Sequence, residues 1–135
     1  MRKCIVGSSL VMSLTVGPVA LAGTKVDLDV TIDMSTSTAS GSMGSARALG
    51  SPPKDIGCKL EVGAGQVVTC WAELPPAQAG QPSVYLTCTT PNNRFVQAVT
   101  ALNASSFLKF VEDPQTGYCT SIVVQNGSRY FPMQP

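Results

Sequence analysis

Ile56-Gly57-Cys58-Lys59-Leu60-Glu61-Val62-Gly63-Ala64-Gly65-Gln66-Val67-Val68-Thr69-Cys70-Trp71-Ala72-Glu73-Leu74 is the stretch on which the fold turns. Two runs rich in strand-forming residues, Ile56 to Val62 and Gln66 to Leu74, flank a glycine-rich link, a pattern that predicts a β-hairpin. If the hairpin is centred on Ala64, residues whose numbers sum to 128 face each other, which sets Leu60 against Val68 and Cys58 against Cys70. Directly opposed positions on antiparallel strands lie about 4.5–5.5 Å apart, close enough for a disulfide. The same register sends Cys58, Leu60, Val68, Cys70, Ala72 and Leu74 inward. Lys59, Glu61, Val67, Thr69, Trp71 and Glu73 then point outward, because side chains alternate along a strand.

Downstream, Pro75 to Pro82 forms a link to a third strand, Ser83 to Thr89. If Cys70 and Cys88 are level, Tyr85 and Thr87 join the outward set. Thr90-Pro91-Asn92-Asn93 reads as a helix start with Thr90 as N-cap and Pro91 at the first helical position, where the missing N–H costs nothing. Phe95, Val99 and Leu102 recur at helical spacing, and Asn103 is placed to end the helix. Ser106 to Glu112 and Tyr118 to Gln125 then bracket Asp113-Pro114-Gln115-Thr116-Gly117, a second hairpin with strong turn residues. The expected fold is α+β, mostly antiparallel sheet with one short helix between the third and fourth core strands, an order compatible with an OB-like barrel. That barrel makes the third and fifth strands neighbours and selects Cys88–Cys119 beside Cys58–Cys70 from the three connectivities four cysteines allow.

Upstream, Thr24 to Met34 alternates Val26, Leu28, Val30, Ile32 and Met34 with polar residues, as an edge strand with one wet face does. Its aspartates, Asp27, Asp29 and Asp33, lack the glycine and distal glutamate of a calcium loop and read as a solvated face. Ser35 to Ser45 is almost wholly Ser, Thr, Ala and Gly and reads as a flexible arm. Gly50 to Asp55 is a turn cluster. Residues 23–45 are therefore expected to be a strand and arm, and residues 46–135 a disulfide-stapled β-rich domain.

Residues 1–22 have the form of a cleavable signal peptide. Arg2 and Lys3 are followed by an uncharged run from Cys4 to Val19 and by Ala20-Leu21-Ala22, which places cleavage before Gly23. Removing those 22 residues from the 135 leaves 113, one domain's worth of chain. Of nine basic residues seven remain, against eight acidic ones, a net charge of −1. The basic residues are scattered, which argues against nucleic acid and anionic membrane as partners. Cys58, Cys70, Cys88 and Cys119 remain after cleavage, an even number suited to two disulfides in the periplasm or outside the cell. Their spacings of 12, 18 and 31 residues and the absence of histidine speak against a zinc site.

Without histidine, the Ser-His-Asp and Cys-His nucleophile systems are closed to this chain. There is no phosphate-cradling loop, nucleophile elbow or dinucleotide fingerprint, and no cofactor is expected. Paired carboxylates, with Glu61 and Glu73 sharing a sheet face, keep a small glycosidase-type hydrolase as the third reading. Asn103-Ala104-Ser105 and Asn126-Gly127-Ser128 fit the glycosylation pattern of a secreted eukaryotic chain and otherwise read as turn residues. The leading expectation is a non-catalytic exported module that binds a protein or cell-envelope component through Trp71, Tyr85, Lys59 and Glu73, an exposed aromatic patch flanked by charge. The competing view buries Trp71 beneath the helix or the N-terminal strand. The second reading is an enzyme inhibitor acting through the proline-rich loop from Leu74 to Pro82.

Four short motifs, Gly41-Ser42-Met43-Gly44-Ser45-Ala46-Arg47, Asp55-Ile56-Gly57-Cys58, Val68-Thr69-Cys70 and Gly117-Tyr118-Cys119-Thr120, resemble those of small exported bacterial proteins of unassigned function. The resemblance spans most of residues 41 to 131 and departs from that set at Pro52-Pro53 and Pro75-Pro76. It implies a bacterial, exported protein and supplies no mechanism.

Overall fold

The structure, a computed structural model, describes residues 28–48 and 54–127. The signal peptide expected over residues 1–22, residues 23–27 and the turn residues Gly50 to Pro53 lie outside them. In chain order the elements are β1 (Thr31–Asp33), β2 (Thr38–Ser42), α1 (Met43–Ala48), β3 (Asp55–Val62), β4 (Gln66–Leu74), β5 (Val84–Thr90), α2 (Asn93–Thr100), β6 (Ser106–Glu112) and β7 (Cys119–Asn126). The strands form two antiparallel sheets, one of three strands ordered β3-β4-β5 and one of four ordered β1-β2-β6-β7.

The three-stranded sheet follows the hairpin register. All eight β3–β4 pairs, from Asp55 opposite Glu73 to Val62 opposite Gln66, sum to 128. Burial alternates accordingly along β4, with Val68, Cys70 and Ala72 fully buried and the residues between them at most half-buried. Leu86 and Cys88 of β5 continue the inward face.

The four-stranded sheet corrects the flexible-arm reading of Ser35 to Ser45. The segment forms β2, paired on one side with β1 and on the other with β6, and leads directly into α1. It is buried by thinness rather than by apolar bulk. Ala39, Gly41 and Ser42 are buried, and a Cβ added to Gly41 would lie 2.9 Å from the Val30 Cα, so only glycine lets the two backbones approach this closely. Facing Ala39 across β6 is Phe110, which with Leu108 is wholly buried. Removing such side chains from water stabilises a fold by roughly 1.5–3 kcal/mol each.

Because β2 lies between β1 and β6, the β6–β7 hairpin completes this sheet instead of wrapping round β5. The sheets do not close into the OB-like barrel, and β5 meets the β6–β7 connection at a parallel bridge between Thr89 and Tyr118 rather than along a continuous ladder. The core lies between the sheets, with Val30, Ala39, Leu108, Phe110 and Ile122 on one side, Ile56, Val68, Cys70, Ala72, Leu86 and Cys88 on the other, and Val99 of α2 at one end.

The start of α2 differs from the sequence expectation. Asn92, not Thr90, is the N-cap, its side chain accepting from the Arg94 N–H at 3.0 Å. Thr90 stays in β5, and its buried hydroxyl accepts from the Asn92 N–H at 3.2 Å. At the other end the helix closes at Ala101. Asn103, expected to end it, forms the following turn by accepting from the Ser105 N–H and hydroxyl. Ser106, fully buried, accepts from the Asn103 N–H and donates to Asn126, fastening this turn to the end of β7.

Candidate functional site

The outer face of the three-stranded sheet is built in cross-strand rows. Asp55, Glu73 and Tyr85 form one row, Gly57, Trp71 and Thr87 the next, and Lys59, Thr69 and Thr89 a third. Trp71 and Tyr85 are diagonal neighbours on adjacent strands, a relation that puts residues about 7–8 Å apart and within reach of large side chains. Tyr85 is 51% exposed. Trp71 is half-buried, and across the cleft it borders lie Met43 and Ala46 of α1.

Two contacts fix the Trp71 ring. Its Nε1 donates to the Asp55 Oδ2 at 2.8 Å, and its six-membered ring lies across Gly57, where an added Cβ would meet Cζ2 at 2.9 Å. A glycine opposite an aromatic residue is thus covered by the ring, which packs flat along the sheet. The ring borders a cleft of about 580 Å³ lined by Met43 and Ala46 of α1, Lys54, Asp55 to Cys58 of β3, and Glu73. Lys54 at the rim is ion-paired with Asp29, so two carboxylates, Asp55 and Glu73, face the cleft against one cation already engaged.

Of the four side chains singled out from the sequence, Trp71, Glu73 and Tyr85 are neighbours. Lys59 lies diagonal to Trp71 but pairs with Glu61 at 2.8 Å, both well exposed. Asp55, Met43 and the α1 wall were missed. The sequence places Asp55 in the turn cluster that begins at Gly50, although the register that opposes it to Glu73 also puts it beside the Trp71 N–H, which needs an acceptor.

Glu61 and Glu73 do not form a catalytic pair. On β3 Glu61 stands six residues beyond Asp55, the residue opposite Glu73, which separates them by roughly 20 Å at the usual strand rise. Glycosidase carboxyls stand no more than about 9.5 Å apart. Asp55 and Glu73 are close enough, but Asp55 is exposed and lacks the apolar enclosure that makes a carboxyl a general acid.

The remaining loop of interest joins β4 to β5. Residues 76–83 are all exposed, with Gln81 N–H donating to the Gln78 carbonyl at 3.1 Å and Gly80 at φ 88°, a left-handed conformation that glycine adopts without steric cost.

Both disulfides lie on the inner side of the sheet. Cys58 is joined to Cys70 within the hairpin, and Cys88 of β5 to Cys119 of β7 across the two sheets, with Cα separations of 4.0 and 5.0 Å. Cys119 reaches Cys88 because of a bulge. Val111 faces Ser121 but Glu112 faces Cys119, so Thr120 is an extra residue, and it turns outward while Cys119 turns in.

Comparison with protein families, with curated proteins and with solved structures finds no match for this chain. No helix among the described residues is long and apolar enough to cross a membrane.

Proposed function

We propose that this chain is an exported, disulfide-braced, non-catalytic module that binds a protein or cell-envelope component through the Trp71 and Tyr85 face, in keeping with its resemblance to small exported bacterial proteins. The observation that carries this reading is the immobilised Trp71 ring at the wall of a cleft, with the exposed Tyr85 diagonal to it. A ring already held in place loses little freedom on binding, and preorganised aromatic side chains are frequent anchors of recognition surfaces. Asp55 and Glu73 favour a partner that brings a basic or hydrogen-bond-donating group to the cleft. The test uses the oxidised chain from Gly23 onward, immobilised and exposed to a solubilised envelope fraction. Trp71→Ala should reduce retention of the bound component at least about tenfold, the effect of losing an interface anchor, while Gln78→Ala and Gln81→Ala leave it unchanged.

The reverse pattern favours the second reading, an enzyme inhibitor presenting the loop between Leu74 and Pro82. Its support is the uninterrupted exposure of residues 76–83 on a loop whose two ends are held in adjacent strands. Retention that none of these substitutions alters would remove both.

A further inference from the structure

Three of the four paired cysteines stand in a single row. Cys58 of β3 is directly opposite Cys70 of β4, and Cys70 is directly opposite Cys88 of β5. All three point to the same side of the sheet, since directly opposed residues share a face. Cys70 is therefore flanked by two sulfurs, its partner Cys58 on one side and, on the other, Cys88, which is bonded to Cys119. Opposed positions in an antiparallel pair meet the separation a disulfide needs, so Cys70 is placed to bond with either neighbour. Accessibility is uneven along the row. Cys58 is partly exposed on the edge strand and borders the cleft, whereas Cys70, Cys88 and Cys119 are 0%, 1% and 5% exposed.

We propose that Cys58 is a site of reversible thiolation by a low-molecular-weight thiol, and that the sheet relays this exchange inward to release Cys119. The thiolate of the small molecule attacks the Cys58 Sγ. A mixed disulfide forms there, the Cys58–Cys70 bond breaks, and its electron pair leaves on Cys70. The Cys70 thiolate then attacks the Cys88 Sγ, forming Cys70–Cys88 and breaking Cys88–Cys119. Cys119 leaves as the thiolate and takes up the proton that the small thiol gave up. One thiol enters and one thiol results, so no external oxidant or reductant is consumed.

The outcome is mechanical. Cys88–Cys119 ties β5 to β7 across the two sheets, while Cys70–Cys88 ties two strands already joined by hydrogen bonds. Exchange thus moves a covalent link from between the sheets to within one of them, and the β6–β7 hairpin loses its disulfide tether to β5. This relay does not rest on the binding role proposed for the Trp71 face, although Cys58 and Trp71 border the same cleft.

The experiment is disulfide mapping by mass spectrometry. The oxidised chain from Gly23 onward is incubated with an excess of reduced glutathione, quenched in acid and alkylated under denaturing conditions. The expected early product carries glutathione on Cys58, a Cys70–Cys88 bond and an alkylated Cys119. Glutathione on Cys58 with Cys70 alkylated and Cys88–Cys119 intact would overturn the relay. A first adduct on any other cysteine, or no adduct on folded protein, would overturn the thiolation site. The variant Cys58→Ser removes the need for an external thiol. Its Cys70 should be recovered bonded to Cys88 with Cys119 alkylated, and recovery of free Cys70 beside an intact Cys88–Cys119 would sink the relay as well.

Discussion

The two sheets are assembled in opposite ways. The three-stranded sheet is consecutive in the chain, from Asp55 to Thr90, with neighbouring strands joined by local links and a disulfide inside its first hairpin. The four-stranded sheet brings β2, which ends at Ser42, against β6, which begins at Ser106, and so closes a long stretch of chain around its neighbour. A local sheet needs only turn chemistry and alternation to set its register. A non-local one must also repay the entropy of loop closure, and here close packing and a cross-sheet disulfide contribute to that.

The two sheets should differ most in what their disulfides contribute. Replacing Cys88 and Cys119 together by serine should cost about 4 kcal/mol, and replacing Cys58 and Cys70 together about 3, because the first pair closes the longer loop. Denaturant melts of the two double variants give the order, and equal losses would show that the cross-sheet link carries no special weight. Next comes the packing of β2. Gly41→Val should destabilise by about 1–3 kcal/mol, since its side chain must displace the Val30 backbone. Gly63→Ala in the β3–β4 link meets nothing within 4 Å and should be close to neutral in the same melts. A Gly41→Val variant as stable as Gly63→Ala would remove the case for β2 as a tightly fitted strand.

The smallest effect concerns acid. Both hairpin turns of the four-stranded sheet are fastened by an aspartate. Asp33 accepts from the Ser35 hydroxyl at 2.6 Å and N–H at 2.9 Å, and Asp113 accepts from the Gln115 N–H at 3.0 Å and the Thr116 hydroxyl at 2.8 Å. The side-chain hydrogen bond from Ser35 foremost holds the Asp33 pKa below its ordinary value, and the backbone hydrogen bond from Gln115 does the same for Asp113. A carboxyl with a lowered native pKa contributes stability that is full above its unfolded pKa and is lost as pH falls through the native one. Melting temperatures followed from about pH 5 down to pH 2 should therefore fall slightly less steeply in Asp33→Asn and Asp113→Asn than in the parent. Superimposable acid limbs would deny these turns a role.

How much of this was legible follows from the same contrast. The β3–β4 register could be read because one symmetric glycine link fixes every pair, and β6 could be read to its boundaries because Ser106 to Glu112 alternates between strong turns. β2 could not, because Thr38-Ala39-Ser40-Gly41-Ser42 has no apolar alternation and its smallness serves a contact with Val30 that only the fold reveals. The cap of α2 went to Asn92 because two residues able to cap stood close together and Thr90 was held by β5. At the candidate site, the alternation that put Trp71 outside was visible in sequence. The cleft was not, since its other wall is α1, a helix that begins within the segment Ser35 to Ser45 whose composition reads as linker.

The extra residue at Thr120 has a consequence for descent. Cys119 faces the core only because Thr120 shifts the phase of the strand, so the cysteine and the insertion form one heritable unit. A lineage that loses the inserted residue while keeping the cysteine places a thiol on the outside of the sheet and leaves Cys88 unmatched within. A lineage that loses the cysteine has no further use for the bulge. Relatives of this chain should therefore carry both features or neither.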